Sequence, residues 1–565
     1  MMDERWLVTA FTLREALRRG GRVLTAPFRL FSPSLGRGIS DRMVIAPQDL
    51  RTTDPTIASD IYAGYFAFAG KVVSTEGRSP FEMHAPDAAW SEELMSFGWL
   101  RHLRAAETAL ARANGRALVD DWIGSCRRPR GIAWETGVVA RRLISWITQS
   151  PLVLEGADRD FYRRFMKSIA RQARFLGHVL DRCDCPERRL TAVVALCYVA
   201  LATQGPLKQV RRTAQRLASE LERQILPDGG HVGRNPAVLL DLLADLLPLR
   251  QVFASQGIDP PQELLNAVDR IGPMLRLFRH GDGTLALFNG VARTPTDVLA
   301  TVLAYQDVRA QPMENASRSG FQRVQADRAL LIMDVGPPPP RDYSGQAHAG
   351  CLSFEFSDGM QKILVNCGAP PPGFDRYREA ARATPAHTTL VVGETSSCSF
   401  APSARLAWPR GAPVISGPRE VACTRETDER GTALSASHDG YSALGLRHDR
   451  SLFISADGRR LEGVDALVVT SEPRAAKTAE TGYSVRFHLQ PGIEAFRLES
   501  GEGVMLRTPD GTRWFFESQD VPARIEDDLV FAVPDGARRT CRIVLAADRA
   551  TLPALRWRLF RAEAD

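Results

Sequence analysis

A chain of 565 residues, 44% apolar and 24% charged, has room for about two to four globular domains and excludes a disordered or collagen-like polymer. The formal charge of +6 is unevenly placed: residues 1–300 hold 40 Lys and Arg against 32 Asp and Glu, a net of +8, and the remainder hold 32 against 34. Nine cysteines, odd in number and with only Cys183 and Cys185 close together, argue against a disulfide framework and for a reducing compartment, and no run approaches the roughly 18 apolar residues of a membrane span.

Residues up to Pro47 mix arginine with apolar positions at helical spacing, which predicts an amphipathic helix packed at the edge of the next domain, with a membrane-surface helix as the competing reading. An acidic pair near the start and the lack of an apolar run of signal-peptide length place the expected location in the cytoplasm, with the periplasm or cell envelope as the alternative. Short segments broken by Gly and Pro then run to Trp90, so residues 1–90 are expected to be a lead-in packed on a helical domain. From Ser91 to about Asp307, stretches from SEELMSFGWLRHLRAAETALARA to PQELLNAVDRIGPMLRLFR place apolar residues at helical spacing with Arg-rich opposite faces. That periodicity predicts a helical domain over 91–310. It stops at Gln311–Gly320, and from VQADRALLIMDVG onward short alternating segments with Gly, Asp and Pro turns predict an all-β sandwich over 320–565.

Within the sandwich, Leu352/Phe354/Phe356 and Ile363/Val365/Cys367 flank Asp358-Gly359, a hairpin signature. A two-residue turn there sets Glu355 opposite Lys362 and Leu352 opposite Val365, and carries His348 beside Cys367 at one end of the sheet. His348, Cys367, Asn366 and His387 then form a candidate zinc set, since zinc takes imidazole and thiolate ligands; hydrogen-bonded histidines supporting the loops are the alternative. In DGGHVGRNP, Asn235 followed by Pro236 and an apolar helix reads as an N-cap. His231 and Arg234 precede that helix start, where backbone N–H groups favour anions, although Arg234 also suits a tie to a neighbouring acid. HDGY and RHDR, which contain Tyr441 and Arg450, read as a turn and adjacent strand starts. No basic patch with interleaved aromatics suggests a nucleic-acid partner.

AHAGCLSFEF, VNCG and AHTTL resemble the C-terminal sheet domain of the heparinase II/III-like family, uronate-polysaccharide lyases and their relatives, while DGGHVGRNP and HGDGTLALFNG resemble its helical part. The resemblance implies a multidomain α+β fold, an N-terminal incomplete (α/α) toroid followed by a C-terminal antiparallel β-sandwich. It also implies β-elimination at a uronic acid. That reaction needs a base for the C5 proton, cationic or donor groups for the enolate, and an acid for the leaving oxygen. On this reading His348, Tyr441 and His231 are the candidate catalytic groups, with Tyr343 as a substitute. Arg234, Asn235, Gln346, Arg382 and Arg450 would bind an acidic polysaccharide or oligosaccharide, and a homodimer is compatible with it.

The chain also departs from the family pattern. Active members carry a tyrosine shortly after the DGGHVGRNP motif, where this helix offers Leu240; an Asn or His on a toroid helix, where this chain reads RRLTAVVALCY; and a first histidine in the GHAH-like segment, where Gln346 stands. Relatives also place an acidic ligand near Asn366. Three readings therefore compete: a lyase, a non-catalytic acidic-glycan-binding or assembly protein that has lost its proton-transfer residues, and a metal-assisted hydrolase centred on His348 and His387.

Overall fold

Apolar residues three and four apart leave water together when their helix packs on another, and residues 88–304 do this repeatedly. A computed structural model describes residues 41–183, 185–306, 310–402, 411–470, 482–498, 503–533 and 536–562. The helix expected before Pro47 falls mainly on residues 1–40, outside the described residues. The principal helices are Ala109–Ser125, Thr136–Thr148, Arg159–Val179, Pro186–Ala202, Leu207–Gln224, Pro236–Ser255, Gln262–Phe278 and Thr296–Ala304. Asp158 starts one of them by accepting the Phe161 N–H at 2.7 Å, and that helix buries Phe161, Phe165, Ile169 and Leu176. Pro186–Ala202 is buried on almost every side, with Leu190 and every residue from Ala192 to Ala202 enclosed. Trp122, Trp146 and Phe165 interlock at centroid distances of 5.4 and 5.3 Å, and each such ring contributes about 1.5–3 kcal/mol on burial.

The stretch expected as one helix from Ser91 to Ala113 is three. Phe97 and Glu107 adopt positive φ, 59° and 51°, and end the helices Ala88–Ser96 and Leu100–Ala105. Thr108 then caps a new helix through the Ala111 N–H at 3.0 Å, which continues through Gly115 to Ser125. Gly115 lies against Leu152, where an added Cβ would come 3.1 Å from its Cδ2.

After Ala304 the described elements are mainly strands, arranged in two large antiparallel sheets and one small pair, Ser399–Phe400 with Val414–Ser416. One runs Val421–Asp428, Gly431–His438, Leu446–Ser455, Arg460–Val469, Ala554–Arg561, Arg513–Ser518, Gly503–Arg507, Glu494–Arg497. The other runs Arg524–Val530, Arg538–Asp548, Gly482–Leu489, Gln361–Val365, Phe354–Asp358, Ala329–Asp334, Phe321–Ala326, Asn315–Ala316, with Leu390–Val392 also on Gly482–Leu489. Their inward residues, Phe354, Phe487, Phe516 and Trp557 among them, form one core. Gly463 is required there, because a Cβ would sit 2.1 Å from Trp557. The molecule is thus a helical N-terminal region followed by antiparallel sheets.

The hairpin forms with a different register. Asp358 pairs with Gln361, so the turn residues are Gly359-Met360, and a bulge between Phe356 and Ser357 sets Ser357 opposite Lys362 and Phe356 opposite Leu364. Glu355 therefore does not face Lys362. Its carboxylate crosses to the helical half and accepts from His280 Nε2 at 3.0 Å and Leu287 N–H at 3.0 Å, while Lys362 donates to Thr284 Oγ1 at 2.8 Å.

Candidate functional site

Three loops meet between the two halves: Asp228–Asn235, His280–Thr294 and Tyr343–His348. Asn235 caps the helix Pro236–Ser255, its Oδ1 accepting the Ala237 N–H at 2.9 Å, and its Nδ2 donates to Gln346 Oε1 at 3.0 Å. Gln346 is exposed and Asn235 buried, so this amide pair stands at the mouth of the junction. Gly290 makes the approach possible: its φ is 94°, and a Cβ would lie 2.9 Å from the Gln346 carbonyl.

Arg234, at φ 58°, turns toward the sandwich. Its Nε donates to Ser319 O at 2.7 Å, Nη1 to Gly336 O at 3.1 Å and Pro337 O at 2.8 Å, and Nη2 to Gly320 O at 2.9 Å and Asp334 Oδ1 at 2.5 Å. These five bonds use every donor of the guanidinium, so the ligand role expected for Arg234 is corrected to a tie between domains. Burial raises the Asp334 carboxyl, and Arg234 opposes it. Asn289 links onward, its Nδ2 donating to Asp334 Oδ2 at 3.4 Å and its Oδ1 accepting the His348 N–H at 3.2 Å.

His348 and His387 do come together, with Nδ1 of the first 3.0 Å from Nε2 of the second. His387 Nδ1 faces Ala383 O at 2.9 Å and so carries a proton, which makes His387 Nε2 an acceptor and His348 Nδ1 the donor. Burial holds His387 down to about 4 and His348 well below its usual value, so both are neutral at pH 7. The lone pair then falls on His348 Nε2, which meets no donor among the described residues, in a residue 5% exposed. Gly350 lets the pair close, since a Cβ there would meet His387 Cδ2 at 2.7 Å.

The expected zinc set does not assemble. The two imidazoles bond each other directly, and Asn366 is engaged through its Nδ2 with Glu355 Oε1 at 3.3 Å and its Oδ1 with Thr388 N–H at 3.0 Å. Cys367 points away from His348, its Sγ 3.3 Å from His488 Nδ1, which bonds Asp528 Oδ2 at 2.5 Å. The bulge at Phe356/Ser357 broke the register on which the expectation rested. Cys367, His488 and Asp528 are the one convergent group of three metal-capable side chains among the described residues. Burial keeps the Cys367 thiol protonated, raising it well above its usual range.

The remaining expected site residues, Tyr343 apart, take structural roles. His231 is buried; Gly233 N–H donates to its Nδ1 at 3.0 Å and its Nε2–H faces Gln224 Oε1 at 3.3 Å, so neither nitrogen is free to move a proton. Tyr441 lies in the sandwich core with its hydroxyl donating to Leu390 O at 3.0 Å, and burial raises its phenol. Arg450 is enclosed between the sheets, bound to Asp465 Oδ1 at 2.6 Å, Leu352 O at 2.7 Å and Thr388 O at 2.9 Å. Arg382 fastens the loop beneath Gln346, donating to Ala347 O at 2.7 Å and Ser344 O at 3.0 Å with Phe400 against its face. Tyr343 is half-buried, edge-on to His231 at 5.9 Å; burial raises its phenol, and Arg189 and Arg223 act against that. Beside it Glu220, fully buried, meets Arg189 at 3.0 Å, Arg223 at 3.4 Å and Arg216 at 3.5 Å, a wall with excess positive charge. Sequence reasoning missed Asn289 and Asp334 and set Glu355 against Lys362 rather than His280; the Asn289-Gly290 dipeptide, whose two residues both take positive φ, was the available signal for the first.

The comparisons with known proteins agree with this architecture. Residues 308–558 match the family model described as heparinase II/III-like, C-terminal. The chain is 30% identical over 533 residues to FtsZ-localized protein C of Caulobacter vibrioides, an alignment that spans 92% of this chain and 90% of that protein. The crystal structure of heparinase III superposes with a TM-score of 0.70 at 12% identity over 99% of this chain and 92% of its own. A mutant of the heparan sulfate lyase HepC from Pedobacter heparinus gives 0.58 at 15% identity over 99% and 91%. The fold is that of heparinase III, a toroid plus β-sandwich. The chain belongs to the heparinase II/III-like family.

Proposed function

We propose that this protein binds an acidic ligand in the cleft between its helical and sandwich domains without cleaving it, and serves as a binding or assembly protein. Its place of action, by extension from the name of FtsZ-localized protein C, is where FtsZ is found. The observation that carries this reading is the Asn235–Gln346 amide pair at 3.0 Å, backed by Leu240 on the helix behind. Amides bind anions and hydroxyls but do not exchange protons near neutral pH, and elimination at a uronate requires two proton transfers. His231 is locked in one tautomer beside them. The Arg189, Arg216 and Arg223 wall and the +8 net charge of residues 1–300 suit an acidic partner. No helix among the described residues is long and apolar enough to cross a membrane.

One observation favours a second reading, a lyase in which His348 alone removes the C5 proton: its Nε2 lone pair meets no donor among the described residues, and its orientation is fixed by His387. Calorimetric titration with a uronate-bearing oligosaccharide, run beside a spectroscopic assay for unsaturated product, separates the two. Binding without product, weakened about fivefold in Gln346→Ala, as loss of one hydrogen bond of about 1 kcal/mol implies, supports the binding reading. Product formation that His348→Ala abolishes supports the lyase.

A further inference from the structure

We propose that Cys367, His488 and Asp528 form a zinc site within the sandwich domain, separate from the His348–His387 pair, in which the ion pins the edge strand Arg524–Val530 to the middle of its sheet. The site does not depend on what the interdomain cleft binds.

The three side chains arrive from separate elements. Val365, His488, Arg542 and Glu526 lie in one row across four strands. Cys367 comes two residues after Val365 and Asp528 two after Glu526, so the period of a strand turns both toward the face that His488 takes. Phe487 and Leu489 point the other way, into the core between the sheets. Cys367 Sγ stands 3.3 Å from His488 Nδ1 and 4.0 Å from Asp528 Oδ2, and His488 Nδ1 stands 2.5 Å from that same oxygen.

This convergence is not that of a closed hydrogen-bond network. A ring nitrogen bonds one partner along its axis, yet the thiol and the carboxylate both crowd Nδ1, while the buried Nε2 has no partner among the described residues. An ion set among the three groups resolves that crowding. Zinc bonds of about 2.3 Å to sulfur and about 2.0–2.1 Å to nitrogen or oxygen hold tetrahedral ligand atoms roughly 3.3–3.6 Å apart. The sulfur and nitrogen already have that spacing, and the Asp528 oxygen reaches it by a shift of less than about 1 Å. The surroundings suit a structural ion. Cys367 and His488 are buried among Ala381, Ala386 and Phe531, and the Asp528 side chain, 8% exposed, gives the ion its way in. The Cys367 backbone is fixed by Ala386 O and the Phe531 N–H, and Arg542, paired with Glu526 at 2.8 Å, lies 3.9 Å from the second oxygen of Asp528.

The donor set selects the metal. One thiolate, one imidazole and one carboxylate suit zinc, whereas calcium and magnesium take oxygen ligands. Cys367 gives up its thiol proton to solvent, the His488 proton moves from Nδ1 to Nε2, and Asp528 is already ionised, so two negative ligands neutralise the ion. Water completes the fourth position.

The full-length protein, freed of metal by a chelator, is titrated with zinc chloride. The expected result is one zinc per chain, release of about one proton per ion at pH 7, and slower hydrogen exchange in Arg524–Val530. Cobalt(II) in place of zinc should show the near-ultraviolet absorption of a thiolate-bound ion. Cys367→Ser and Asp528→Asn should each weaken zinc binding about 100-fold or more, since loss of even an outer partner of a ligand costs roughly 10–100-fold. Proton release and the cobalt spectrum read the unaltered protein, so the test stands if a variant fails to fold. No bound zinc, zinc held equally by both variants, or cobalt bound without thiolate absorption overturns the site. Zinc that His348→Ala abolishes and Cys367→Ser retains places the ion on the other histidines and overturns it too. Binding at Cys367 that leaves exchange in Arg524–Val530 unchanged overturns the pinning.

Discussion

Two histidine pairs in this molecule share a geometry and differ in what they can do. His348 and His387 stand edge to face, ring centroids 5.2 Å apart; His438 and His448 do the same at 5.2 Å. In the second pair Gly440 N–H donates to His438 Nδ1 at 2.9 Å, His438 Nε2 faces His448 Nδ1 at 3.3 Å, and His448 Nε2 donates to Asp465 Oδ1 at 2.8 Å. Arg450 and Trp557 bind the same carboxylate, so every ring nitrogen is occupied and the network is closed between the sheets. The first pair ends in the Ala383 carbonyl and leaves His348 Nε2 with no donor among the described residues. Contact between imidazoles is therefore no mark of a site; what lies at the two ends of the chain of hydrogen bonds decides its role.

The comparison breaks most readily at Asp465. Asp465→Ala strands the enclosed Arg450 guanidinium, and denaturant unfolding should show a loss of about 3–5 kcal/mol. His387→Ala, which leaves no charge unpaired, should cost about 1–3 kcal/mol; equal losses would remove the distinction between the pairs. pH sharpens the comparison further. His387 takes up a proton only near pH 4 in the folded protein and near 6.5 unfolded. Between those values the unfolded state binds more protons, so stability should fall as pH drops from about 6.5 to about 4, by up to about 3 kcal/mol for this residue, with no effect above that window. In His387→Ala the slope of unfolding free energy against pH should flatten. The smallest effect expected is that of Gln346→Ala on stability, within about 0.5 kcal/mol because the side chain is exposed, so any loss of binding in that variant belongs to the cleft.

Much of the architecture was legible in the sequence, because periods of 3.6 and 2 report which faces are buried whatever they pack against. The hairpin register was not. Charge pairing favoured Glu355 opposite Lys362, but Glu355 is held by His280 and Leu287, 75 and 68 residues away, and the bulge accommodates that. The same distance in sequence hid the role of Arg234, whose acceptors lie 85 to 103 residues downstream. Asn235 was readable as a cap because a cap is local; its contact with Gln346 across 111 residues was not. Tyr441 and Arg450 read as a turn and a strand start; Arg450 takes an inward position of Leu446–Ser455, and Tyr441, in the turn before that strand, is buried with it.

The central claim is that the cleft binds without eliminating. Full-length protein incubated with a uronate-bearing polysaccharide that it demonstrably binds should give no rise in the ultraviolet absorbance of the unsaturated uronate, at any pH from 5 to 9. A time-dependent rise that disappears in His348→Ala would contradict it and make His348 a catalytic base.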